Sequence, residues 1–235
     1  SWTSAPGFPG TNGLPFGQSL LVWHGGANRG FVTLQQTVSS LVTVTTWRFD
    51  GATWQVANTV SAPILQPLNA PTTSGTGTWA PSTGHTYAHT ANGLWSWDGT
   101  SWQTVVQSGG TLPGFALDSY MVWDEARSRL VMLLDASSPA NTTWVGQLVS
   151  PLHVDWTVVS NTDPVTNVTA PSPRFFPQLV YDSRRQRPVL FGGRFNNIEL
   201  DDMWTLESTP SGPKWQRQPT LAATPTDRVY TDMAF

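Results

Sequence analysis

Histidines, recurring aspartates and a scatter of arginines are the side chains in this sequence that could do acid–base, metal or ligand chemistry. The histidines are His24, His85, His89 and His153. His85 and His89 are four residues apart, which puts two imidazoles on one face of a helix but about 13 Å apart on a strand, too far to share a metal ion. The intervening Thr86-Tyr87-Ala88 favours a strand, so no metal is expected there. Asp50 with Asp98, and Asp124 with Asp182, occupy equivalent places in repeated strings. Recurrence is what a turn requires, whereas a catalytic acid is needed once or twice. Asp201-Asp202 is an adjacent acidic pair and leaves a calcium-ligand role open. Arg174 and Arg228 are expected to brace backbone carbonyls, and Arg184, Arg185 and Arg187 read as a solvated hairpin tip. The chain has no cysteine, which removes disulfides, thiol nucleophiles and Cys-ligated metals. No Gly-x-Ser-x-Gly, His-Glu-x-x-His or phosphate-cradling loop occurs.

The elements that must position these residues recur along the chain. From Arg174 an apolar strand ends in Leu179-Val180-Tyr181-Asp182; a polar turn leads to Pro188-Val189-Leu190-Phe191 and Gly192-Gly193; Asp201-Asp202-Met203-Trp204 and Lys214-Trp215 follow. Met121-Val122-Trp123-Asp124, Leu130-Val131-Met132-Leu133-Leu134, Trp144 and Trp156 repeat the same landmarks, with Leu134-Asp135 in place of Gly-Gly. Further upstream, Trp47-Arg48-Phe49-Asp50-Gly51-Ala52-Thr53-Trp54-Gln55 and Trp95-Ser96-Trp97-Asp98-Gly99-Thr100-Ser101-Trp102-Gln103 are nearly one string. Leu20-Leu21-Val22-Trp23-His24-Gly25-Gly26 reads as a copy of the second strand with its Gly-Gly, His24 replacing Phe191 as a structural residue, so the first unit lacks a first strand. Asp-Gly at 50–51 and 98–99 predicts type I′ hairpins. The last-strand tryptophans fall at 54, 102, 156 and 215, intervals of 48, 54 and 59 residues. They are expected between sheets, where a Trp ring buries about 150–250 Å².

With Arg174, Tyr181-Asp182, Gly192-Gly193, Asp202-Met203-Trp204 and Trp215 in order, the unit resembles the kelch motif of bacterial kelch-repeat proteins, whose period is roughly 50 residues. The resemblance implies an all-β chain, a β-propeller of four-stranded antiparallel blades with units at about 19–57, 63–105, 113–159 and 174–218, forming a single domain over 1–235. An extra C-terminal first strand, 228–235, either closes the ring onto the first unit or marks the chain as part of a longer propeller. The family's copper-radical oxidases need a Tyr crosslinked to Cys, which this chain cannot supply. No cofactor or metal is expected.

Charged residues are 11% of the chain, against about 25% in an average soluble domain, and the net charge is −3. No basic footprint marks a nucleic-acid partner, and no apolar run reaches the roughly 20 residues of a membrane span. The start Ser1-Trp2-Thr3 reads as processed or excised, and low charge with abundant Thr and Ser suggests an extracellular or cell-surface protein. Asn141-Thr142-Thr143 and Asn167-Val168-Thr169 are glycosylation sequons, meaningful in a eukaryotic host. While the landmarks recur, the loops vary, which points to a non-catalytic binding or scaffolding module with a protein or glycan partner. The candidate binding residues are Asn28 and Arg29 in the first unit, Asp135 in the third, and Arg194, Phe195, Asn196 and Asn197 in the fourth, all expected on one loop face. The alternatives are a structural subunit of an extracellular assembly that self-associates through the C-terminal strand and, third, a carbohydrate-active enzyme.

Overall fold

The protein is described by a computed structural model covering residues 18–26, 29–38, 42–58, 75–90, 92–114, 119–134, 142–159 and 170–219. Its strands carry the β-branched and aromatic residues that suit a half-buried pleated backbone. The chain divides into two compact units, Ser1–Val106 and Gln107–Phe235. The expected ring-closing segment 228–235, with Arg228, lies outside the described residues.

The first unit holds two four-stranded antiparallel sheets. One is β1 (Gln18–His24), β2 (Gly30–Val38), β3 (Val42–Phe49) and β4 (Trp54–Asn58); the other is β5 (Thr76–Ala80), β6 (His85–Thr90), β7 (Gly93–Trp97) and β8 (Trp102–Thr104). The first sheet is therefore complete, and β1 is its first strand, correcting the assignment of 20–26 to a second strand. The reason lies in the glycines. A Cβ on Gly25 would meet the Trp79 ring at 2.8 Å, so this glycine admits a neighbouring aromatic. Gly192 and Gly193 instead sit at φ 64° and 99°, where a side chain is strained. The two sheets share a core of Leu20, Val22, Val32, Ala88, Trp95, Trp97 and Trp102. Trp102 Nε1 donates to Thr46 Oγ1 of β3 at 3.0 Å, so the last-strand Trp reaches the preceding sheet as expected.

The Asp-Gly hairpins form, but with a different turn. Registers Phe49↔Trp54 and Trp97↔Trp102 leave four-residue loops, and only Gly51 and Gly99 have positive φ, both at 102°. Type I′ would need the aspartates there too. Each carboxylate instead accepts the N–H groups two and three residues on: Asp50 from Ala52 and Thr53, both at 2.9 Å, and Asp98 from Thr100 at 2.7 Å and Ser101 at 2.8 Å. Burial works against ionising Asp98, but the bonds from Ser101 and Thr100 outweigh it and hold its pKa at about 2. These aspartates are turn residues, as their recurrence implies.

In the second unit, β10 (Ser119–Asp124), β11 (Arg129–Leu134), β12 (Thr143–Ser150) and β13 (His153–Val158) form a sheet to which β9 (Val106–Gly109) adds at the outer edge of β13. The fourth sheet is β14 (Gln178–Asp182), β15 (Arg187–Phe191), β18 (Met203–Thr209) and β19 (Gly212–Arg217), and a short hairpin of β16 (Arg194–Phe195) and β17 (Ile198–Glu199) projects between β15 and β18. Val122, Val131, Val145, Val159 and Leu206 join the two large sheets, with Leu179, Tyr181 and Trp215 packed on them. Trp215 Nε1 donates to Thr143 Oγ1 at 2.9 Å, the same bond that Trp102 makes to Thr46. In both cases the acceptor immediately precedes the third-strand Trp, at Thr46-Trp47 and Thr143-Trp144.

Ion pairs lock the first hairpins of these sheets. Buried Asp124 binds Arg127 at 3.1 Å and Arg129 at 2.9 Å, and buried Asp182 binds Arg185 at 2.9 Å. Arg187 pairs with Glu207. The expected free basic turn at 184–187 is therefore largely neutralised by carboxylates, because two of its three arginines have partners within the sheet. Arg127 also donates to the Gln186 carbonyl at 2.7 Å, and the Ala126 N–H to Tyr181 Oη at 3.0 Å.

Strand β9 tests how tightly the third sheet is sealed. Gly109 has φ 121°, and a Cβ there would lie 2.2 Å from the Trp156 carbonyl, whereas Gly110 has open space. Gly109→Ala is expected to cost about 1–3 kcal/mol, and Gly110→Ala to stay within about 0.5 kcal/mol. Urea unfolding followed by Trp fluorescence checks this; equal midpoints for the two variants would remove the claimed close approach.

Candidate functional site

The loop between β15 and β18 is built as a closed ladder. The Gly192 N–H donates to the Asp202 carbonyl at 3.1 Å and the Leu200 N–H to the Gly193 carbonyl at 2.8 Å, with Arg194 opposite Glu199 and Phe195 opposite Ile198. At the tip, Asn196 and Asn197 have φ 49° and 64°. Positive φ at both central residues of a two-residue loop is the type I′ arrangement, and Asn is among the few non-glycine residues that tolerate it. This chain thus uses the type I′ turn at Asn-Asn, where no Asp-Gly signals it.

Arg174 fixes the base of the loop. Its side chain is fully buried and forks onto Asp202 at 2.6 and 2.9 Å, while also donating to the carbonyls of Gly192 at 2.8 Å and Ser172 at 3.0 Å. Asp202 further accepts Trp204 Nε1 at 2.6 Å. Burial raises the Asp202 pKa, but the hydrogen bonds and charge of Arg174, with the Trp204 bond, bring it below the usual carboxylate range. The expectation that Arg174 braces carbonyls is met. With both Asp202 oxygens committed to Arg174 and Trp204, the calcium role loses its main ligand, and among the described residues no cluster of three or more His, Asp or Glu could hold a metal ion.

Next to this loop, Phe175 and Arg194 exchange backbone hydrogen bonds, both at 2.8 Å. A Cβ on Gly193 would sit 2.9 Å from the Phe175 carbonyl, so glycine permits the approach. Phe176 has φ 55°, rare for an aromatic residue, and its N–H donates to Tyr120 Oη at 3.0 Å. Consecutive residues of an extended chain point to opposite sides. The left-handed Phe176 breaks that alternation, and both rings, 6.1 Å apart at 41°, line one open cleft with Arg194, Asn196 and Asn197. The cleft volume is about 400 Å³. Arg194 Nη2 donates to Asn197 Oδ1 at 2.7 Å, which orients the guanidinium.

The sequence therefore brings Arg194, Asn196 and Asn197 into one cleft, with Phe195 half-buried in the hairpin behind it. Arg29 is exposed in the β1–β2 connection, the end of its sheet opposite the β2–β3 connection, because 20–24 belong to the first strand. It is thus not on a second-to-third-strand loop of its own sheet, as had been expected. Asn28, Asp135, Asn141 and Asn167 lie outside the described residues. Phe175 and Phe176 were missed; the signal was the aromatic pair directly after Arg174 in a stretch otherwise readable as strand.

The histidines are absorbed by structure. His85 and His89 both lie on β6, so their spacing is that of a strand. His24 is fully buried, 3.0 Å from Thr86 Oγ1 and edge-on to Trp79. His153 Nε2 lies 2.9 Å from Ser108 Oγ, which also reaches Asp155 Oδ1 at 3.2 Å. That resembles a nucleophile and its base, but an activating carboxylate must orient the imidazole, and Asp155 bonds to the serine instead. The trio ties β9 to β13.

No protein-family model matches the chain. No curated protein matches it either. Among the described residues no helix is long and apolar enough to cross a membrane.

Proposed function

We propose that the chain is a non-catalytic binding module of kelch-like blades, acting outside the cytoplasm and holding its ligand in the cleft between Phe175-Phe176 and the 194–197 hairpin tip. The single observation that carries this reading is Phe176. An aromatic residue at φ 55° costs of order 1–3 kcal/mol, and the surrounding bonds retain that strain where two half-buried phenyl rings line one open cleft. Such strain concentrates at ligand sites. The four sheets, the Gly192-Gly193 close and the repeated Trp-to-Thr bonds support the kelch-like reading of the blades; closure into one ring by 228–235 is part of the same proposal.

The test is retention of the full chain on an array of neutral glycans, acidic glycans and peptides, with Phe176→Gly and Asn197→Gly beside wild type. Glycine accepts both backbone angles, so each variant removes a side chain and leaves the turn in place. Retention is expected to fall at least 10-fold in both. Retention unchanged in both variants, or absent from wild type, would reject the cleft as a binding site.

Self-assembly is a second reading, favoured by β1. Leu21 and Trp23 are 59% and 45% exposed on a strand at the edge of its described sheet. Light scattering that shows a monomer at every concentration would remove it.

A further inference from the structure

Resting on the reading of the cleft as a ligand site, we infer that its ligand is an acidic glycan, whose sugar carboxylate meets Arg194 while its ring lies against Phe175 and Phe176. Arg194 differs from five of the seven other arginines described in the second unit. Arg127, Arg129, Arg174, Arg185 and Arg187 each have a carboxylate within salt-bridge distance. Arg194 has none within 4 Å among the described residues, although Glu199 stands opposite in register; its guanidinium is held by the neutral Asn197 amide. One of five N–H donors is used in that bond, and the planar fork is oriented before any ligand arrives. A pre-oriented guanidinium without a counter-ion beside an open cleft is matched by a carboxylate, which it can bind through two parallel bonds.

The rest of the cleft selects a sugar over a peptide. Asn197 spends its oxygen on Arg194, which leaves its NH₂ donors for the ligand, and exposed Asn196 offers both donors and an acceptor. Two amides spaced by a fixed turn suit the neighbouring hydroxyls of a saccharide. The phenyl faces, electron-rich at the centre, suit the weakly positive C–H face of a pyranose. A volume of about 400 Å³ lies within the usual range for small-molecule pockets. A peptide would need a strand edge for main-chain pairing. Among the described residues that line the cleft none is offered: the N–H and C=O of Arg194 are both spent on Phe175, and β16 and β17 are two residues each.

The experiment is calorimetric titration of the full chain with galacturonate, glucuronate and mannuronate trisaccharides, their methyl esters, a neutral galactose trisaccharide and a short peptide with a free C-terminal carboxylate. At least one acid is expected to bind 10- to 100-fold more tightly than its ester, the range for losing a charge-assisted bidentate contact. Arg194→Gln is expected to abolish that difference without moving the melting temperature, and Arg194→Lys to retain part of it. Equal affinity for acid and ester, or binding of the neutral sugar alone, would overturn the carboxylate assignment while leaving the cleft a binding site. Tighter binding of the peptide than of any sugar would overturn the glycan assignment. Failure of every probe would overturn the inference, and acid binding insensitive to both Phe176→Gly and Asn197→Gly would overturn the cleft reading itself.

Discussion

Arg174→Ala is expected to destabilise the second unit by about 3–5 kcal/mol, the usual cost of breaking a buried ion pair by removing one partner. Arg174 is fully buried, and Asp202 is 11% exposed at its side chain. Alanine would leave the Asp202 carboxylate with the Trp204 N–H but no cation bonded to it, and would strip the Gly192 carbonyl of the donor 2.8 Å away. Those groups hold the base of the loop that carries Asn196 and Asn197, so ligand binding should fall together with stability. Arg174→Lys keeps the charge but cannot fork onto both carboxylate oxygens, and should lie between alanine and wild type. The check is urea unfolding of the full chain, read by Trp fluorescence. A loss below about 1 kcal/mol for Arg174→Ala would mean that the fork is ornamental to the fold. The pair also sets an acid limit. The Asp202 pKa is lowered in the folded state, so its contribution is present above the unfolded value of 3.8 and is lost as pH falls through the folded one.

The fourth sheet was legible because each landmark there does a job only that residue type can do. Gly192 and Gly193 take left-handed angles, Arg174 needs a planar fork, and Trp215 spans to the next sheet with its N–H on Thr143. The first sheet was misread because Gly25-Gly26 imitates Gly192-Gly193 while serving a different end, room for the Trp79 ring. A dipeptide cannot disclose whether it needs an angle or a void. Strand β9 was invisible for another reason: Val106-Gln107-Ser108-Gly109 has no alternation to read, and its partner β13 lies more than forty residues on. Its partner contacts, Ser108 with His153 and Gln107 with Trp156, exist only once the sheet has formed. Half of the cleft was visible as variable loop. The other half was not, because a left-handed Phe follows from the bonds that pin it and not from its propensity.

Acid is expected to destabilise the first unit through a buried imidazole. His89 is 6% exposed on β6, with Thr76 opposite on β5 and Leu94 opposite on β7. Burial lowers its pKa from 6.5 to about 4. Above pH 6.5 the imidazole is neutral in both folded and unfolded chains and stability does not depend on it. Between pH 6.5 and 4 the unfolded chain takes up a proton that the folded chain refuses, so stability falls with pH, by about 3 kcal/mol at the lower end. Below pH 4 both states are protonated and the penalty is constant. The carboxylates with lowered pKa values, Asp98 among them at about 2, act in a separate and more acidic window, because their unfolded values lie at 3.8. His85, half-buried and also shifted down by burial against the opposing pull of Asp98, adds in the same direction as His89. Unfolding midpoints measured from pH 4 to 7 should therefore slope downward toward acid in wild type, and His89→Gln, which cannot ionise, should flatten most of that slope while His85→Gln flattens less. An unchanged slope in His89→Gln would show that acid enters the fold elsewhere and that the β6 core tolerates an imidazolium.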